Sequence, residues 1–99
     1  MNNMVEDKNA EDKNLVEMVR KFIVRKFPLA RRRDISNDDN LLETGVIDSL
    51  GVLEIVTFLQ EEFSLELQDD ELTPENFQSI SSIADFVGMR VRLQQEVVK

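Results

Sequence analysis

The stretch Thr44-Gly45-Val46-Ile47-Asp48-Ser49-Leu50 decides how this chain is read. A glycine turn leads through two aliphatic residues to an acid and a serine, and an amphipathic pattern begins there. Helical spacing predicts a helix from Ser49 to Phe63. Asp48 suits its N-cap, because a carboxylate accepts hydrogen bonds from orphan backbone N–H groups and is favoured at the positive end of the helix dipole. Ser49 then stands exposed at a helix start with ordered neighbours, a place to attach a group covalently. Leu50, Leu53, Val56 or Thr57, Leu59 and Phe63 are expected to face inward. Glu54, Gln60, Glu61 and Glu62 lie on or near the outward side. Gly51 is out of place in a first turn, since glycine costs about 1 kcal/mol against alanine inside a helix. An irregular first turn, or room for a partner to approach Ser49, would account for it.

Working upstream, Leu15, Val16, Met18, Val19, Phe22, Ile23 and Phe27 keep the spacing of a buried helix face. That helix is expected to start near Ala10 to Asp12, after a loose polar leader at residues 1–9. Pro28 disfavours helical geometry at Phe27 and marks its end. Arg20, Lys21, Arg25 and Lys26 fall in the last turns, where the dipole favours cations. Residues 28–47 read as a long loop, with Arg31-Arg32-Arg33 as a solvated run. Leu41, Leu42, Val46 and Ile47 are expected to pin the loop to the core, as a loop of this length is uncommon unless held or functional.

Downstream, Ser64-Leu65-Glu66-Leu67-Gln68 alternates like a strand, but a lone five-residue strand has no partner and is read as extended loop. Thr73-Pro74-Glu75 predicts a short helix near residues 74–78 with proline at its first position. Ser79 is expected to cap a last helix, in which Ile80, Ile83, Ala84, Val87 and Val91 form the stripe to about residue 93. The sum is an all-α, three-to-four-helix bundle with a long first loop, a single domain over residues 10–95.

Composition removes whole classes of function. The chain has 99 residues, no cysteine and no histidine. That excludes disulfides, thiolate or histidine metal sites, and histidine acid–base catalysis, so no catalytic or metal-ligating residue is assigned and a non-enzyme is expected. No apolar run reaches the ~18 residues of a membrane span, and the polar start is unlike a signal peptide. A cytoplasmic monomer is expected. Residues 34–85 carry fourteen acids and no Lys or Arg, and the net charge is −8. Such a segment repels nucleic acid and suits docking to basic patches on partner proteins.

Gly45-Val46-Ile47-Asp48-Ser49-Leu50, continuing through Leu53-Glu54 and Leu59-Gln60-Glu61-Glu62-Phe63, resembles the attachment region of acyl carrier proteins, and the resemblance covers about residues 12–92. It implies that Ser49 bears a covalent 4'-phosphopantetheine arm taken from coenzyme A inside a phosphopantetheinyl transferase. Asp48 and Leu50 would flank the arm. Glu54 and Glu61 match acidic positions that meet basic docking patches of acyl-activating or synthase enzymes in fatty acid, lipid or secondary-metabolite synthesis. Phe63 matches a core position.

The chain departs from the pattern at Gly51 and Gln60, where acids are common, and in the Arg31–Arg33 run. The segment from Leu72 to Ser79 also looks longer than usual. These departures point to a specialised stand-alone carrier. A D-alanyl or aminoacyl carrier using the same arm, and an unmodified acidic module of the same shape, remain as alternatives. An EF-hand begun at Asp34 fails, because Asp39 and Gly45 occupy the places that need glycine and glutamate.

Overall fold

The computed structural model describes residues 3–97, with side chains described from 13 to 94. The side chains of the leader expected at residues 1–9 lie outside that range. Among the described residues the chain forms five α-helices and one 3-10 turn, without strands: α1 (Asn3–Lys26), α2 (Pro28–Arg33), α3 (Ser49–Phe63), the turn Asp69–Glu71, α4 (Pro74–Phe77) and α5 (Ile80–Val97). None of these helices is long and apolar enough to cross a membrane.

α1 starts ahead of the Ala10–Asp12 region expected for it. Its buried face carries Val19, Phe22 and Ile23, with Leu15, Val16 and Phe27 half-buried beside them. α5 packs along α1 and also holds α4. It contributes Ile80, Ile83, Ala84 and Val87 as expected, plus Phe86, which sits 5.8 Å from the buried ring of Phe77. Gly88 lets the two long helices approach, since a Cβ there would stand 3.3 Å from Leu15 Cδ1. The start of α5 is capped reciprocally: Ser79 and Ser82 each donate a backbone N–H to the other's hydroxyl at 3.0 Å.

The segment read as one loop from 28 to 47 holds a helix. Phe27 is extended, as the residue before a proline must be, and Pro28 then opens α2 at its N1 position. The arginine run is not simply solvated. Arg31 donates to the carbonyls of Val24 and Arg25 at 3.0 and 3.1 Å, satisfying acceptors that the end of α1 leaves open. Arg33 donates to the carbonyl of Thr44 at 2.8 Å, holding the turn that precedes Ser49. The rest of the connection is stitched to its surroundings. Arg20 binds Asn37 Oδ1 and the Ile35 carbonyl, at 2.9 and 2.7 Å. The Leu41 N–H reaches the Gln78 carbonyl at 2.7 Å. Leu41, Val46 and Ile47 are buried and Leu42 is half-buried, so the expected pins do enter the core.

Candidate functional site

Ser49 is the first residue of α3, and its side chain is exposed. The approach to it is fixed from both sides. Gly45 adopts a φ of +79°, a left-handed turn that a residue with a Cβ takes only at a cost. Val46 and Ile47 then drop into the core, and the Ile47 N–H bonds the Leu41 carbonyl at 3.1 Å. Asp48 is extended and caps α3, its Oδ1 accepting the Gly51 N–H at 2.9 Å. Its carbonyl takes the Val52 N–H at 3.0 Å. The serine hydroxyl therefore projects from a turn that is hydrogen-bonded at its start and buried just before it.

Gly51 corrects both explanations offered for it. It is buried, and the first turn is regular. A Cβ at this position would stand 2.8 Å from Ile47 Cγ2 and 2.9 Å from Phe27 Cε1. Glycine lets the start of α3 sit directly on the core, and no partner can approach from that side. This contact rotates the helix relative to the expected stripe. Of the expected stripe, Val56 and Leu59 are buried and Phe63 is half-buried, joined inside by Gly51 and Ile55, whereas Leu50 and Leu53 are 70% and 55% exposed. Two large apolar side chains consequently stand in solvent within four positions of Ser49.

Beside Ser49 opens a cleft of about 310 Å³. Leu42, Val52 and Leu53 form one wall, and Leu72, Thr73, Pro74 and Phe77 the other. No local pattern in the sequence marks these far-wall residues as neighbours of the serine, although Pro74 signalled the helix that carries two of them, Pro74 and Phe77. The far wall is tethered to α5. Arg90 grips both carboxylate oxygens of Glu71 and donates to the Glu66 carbonyl at 2.9 Å. Asn76 Nδ2 donates to the Glu71 carbonyl at 2.8 Å. Partial burial works to raise the Glu71 pKa. The Gln68 N–H and the Arg90 guanidinium outweigh it and hold the carboxyl below its ordinary value.

The two acids singled out on α3 have neighbours that the sequence did not reveal. Glu54 Oε1 lies 3.8 Å from Lys26 Nζ, both side chains being half exposed. Glu61 is exposed along a groove between α1 and α3 that Arg25 and Lys26 also line. Lys26 and Arg25 carried only a dipole argument in the sequence.

Chemically, the site offers an exposed hydroxyl on a stable helix start, an apolar cleft at its side, and a mixed apolar and acidic surface around it. These features fit a tethered phosphopantetheine group: the hydroxyl is reachable by a transferase, and the cleft offers an apolar surface within reach of a flexible arm.

Comparison with known proteins bears on the same residues. A family model described as the phosphopantetheine attachment site matches residues 19–87. An acyl carrier protein of Buchnera aphidicola subsp. Baizongia pistaciae is 32% identical over 74 residues, covering 75% of this chain and 91% of that protein. An acyl carrier protein of Buchnera aphidicola subsp. Acyrthosiphon pisum (strain Tuc7) is 31% identical over 75 residues, covering 76% and 90% respectively.

Proposed function

Since the chain belongs to the acyl carrier protein family, whose cofactor is a covalent 4'-phosphopantetheine, we propose that Ser49 is the residue that bears the arm. In loading, Ser49 Oγ gains a bond to the β-phosphorus of coenzyme A, the bond from that phosphorus to the nucleotide half breaks, and the hydroxyl proton departs. When bound, the group supplies a thiol that this cysteine-free chain lacks, and with it thioester chemistry.

The chain's own residues position and display. Asp48 holds the first turn of α3 so that Ser49 is presented in one orientation. Leu50 and Leu53 offer partner enzymes an apolar contact beside the serine. Glu54 and Glu61 supply charge for docking to basic patches. The cleft between Val52 and Phe77 offers apolar surface to an acyl cargo. The protein is a carrier rather than a catalyst. It serves acyl-activating and synthase enzymes of fatty acid, lipid or secondary-metabolite synthesis, and acts as a cytoplasmic monomer built on residues 10–95.

The observation that carries this reading is the exposure of Ser49 on a capped helix start beside an apolar cleft. The test is intact mass and thiol titration after incubation with coenzyme A and a broad-specificity phosphopantetheinyl transferase. The parent should gain one phosphopantetheinyl group and one titratable thiol, and Ser49→Ala should gain neither. Equal gain in both proteins would put the attachment elsewhere.

A further inference from the structure

α1 and α3 are joined near the docking face by a ring stack. Phe22 and Phe58 lie nearly parallel with centroids 4.1 Å apart, and Phe22 is buried. That packing, rather than any surface rotamer, decides which charges share the groove between the two helices. Arg25 and Lys26 from α1 line it together with Glu54, Glu61 and Glu62 from α3. Only the Lys26–Glu54 contact is within ion-pair range, at 3.8 Å and half exposed, so it adds little to stability. Its effect on an approaching partner is larger. Opposite charges held within a Debye length of about 8 Å cancel much of the field that a third charge feels, and that field sets encounter rate and orientation.

Resting on the carrier reading of Ser49, we propose that Arg25 and Lys26 form a built-in counter-charge on the docking face, which weakens its hold on basic patches of partner enzymes. A partner cation competes with Lys26 for Glu54, and it meets the field of Arg25 as it approaches Glu61 and Glu62. The acids of α3 are thus partly committed within the chain before any partner arrives.

The test is the kcat/KM of Ser49 loading by a phosphopantetheinyl transferase with a basic docking patch. The proteins are the parent, the Arg25→Gln/Lys26→Gln double variant, and each of these with Glu54→Gln added. The double variant should load about 3- to 10-fold faster at low salt, mainly through KM. The gain should shrink as salt rises. Glu54→Gln should cost more in the double variant than in the parent, because the glutamate is then uncommitted. Melting temperatures should fall only by a few degrees, about what is expected from losing two cations at the end of α1, since the exposed pair itself contributes little. An unchanged or lower kcat/KM, a gain indifferent to salt, or an equal Glu54→Gln loss in both backgrounds would overturn the proposal. Failure of the parent to load at all would overturn the Ser49 reading and this inference with it.

Discussion

Gly51 and Phe27 are in contact across the base of α3: a Cβ on the glycine would come within 2.9 Å of Phe27 Cε1, and within 2.8 Å of Ile47 Cγ2. This relationship sets the phase of the helix that displays Ser49. Gly51→Ala gains helix propensity of up to about 1 kcal/mol but overpacks a buried junction, which typically costs about 1–3 kcal/mol. Ile47 is fully buried and has little room to shift. We expect a net loss of about 1 kcal/mol in urea unfolding. Gly88→Ala is the control. Its new Cβ meets the flexible ends of two side chains, Leu15 Cδ1 at 3.3 Å and an Arg92 guanidinium nitrogen at 3.5 Å, so the propensity gain wins and stability rises by some tenths of a kcal/mol, roughly. A loss at Gly88 equal to that at Gly51 would contradict the account.

Asp48 holds the Gly51 N–H at 2.9 Å. Asp48→Ala should destabilise by about 1 kcal/mol, whereas Asp48→Asn, an equally good cap, should leave stability nearly unchanged. Equal losses in the two variants, measured by chemical unfolding, would mean that the cap is not what the side chain contributes.

Much of this was legible locally. The Phe27-Pro28 break, the Asp48 cap, the Ser79 cap and the buried Leu41, Val46 and Ile47 all follow from short-range chemistry and sit where the sequence placed them. The errors came from interactions between distant residues. In α3 two apolar sets compete, one on Leu50 and Leu53, the other on Val52, Ile55 and Val56. The close seat of Gly51 on Ile47 and Phe27 favours the second set. α2 escapes a local reading although Pro28 is a standard helix opener, because the arginines after it read as solvated. Arg31 donates to the carbonyls of Val24 and Arg25, and Arg33 to that of Thr44. The far wall of the cleft and its tie to Arg90 span nineteen residues or more, and helical periodicity carries no information on such pairings.

The tie itself has a pH signature. Glu71 has a lower pKa folded than unfolded, so its contribution is fully present above the unfolded value near 4.5 and is lost as pH falls through the lower folded value. Arg90→Gln should destabilise by about 1 kcal/mol at neutral pH. Its difference from the parent should shrink in acid, below the folded pKa of Glu71. A difference that is constant from neutral to acid pH would remove Glu71 as the partner that matters.

Fourteen carboxylates lie in residues 34–85. Among the described residues, two of them, Glu54 and Glu71, are in ion pairs. Mutual repulsion should weaken the folded state, and screening should relieve it. We expect the melting temperature to rise from low to moderate salt, and further with millimolar divalent cations. A flat or falling melting temperature would contradict this.

The central claim, that α3 displays Ser49 for attachment, is tested most directly by locating the adduct. Protein loaded with coenzyme A by a phosphopantetheinyl transferase would be fragmented in the mass spectrometer, and the added mass assigned to a residue. The whole addition should fall on Ser49. An addition on Ser64, Ser79 or any other hydroxyl would contradict it.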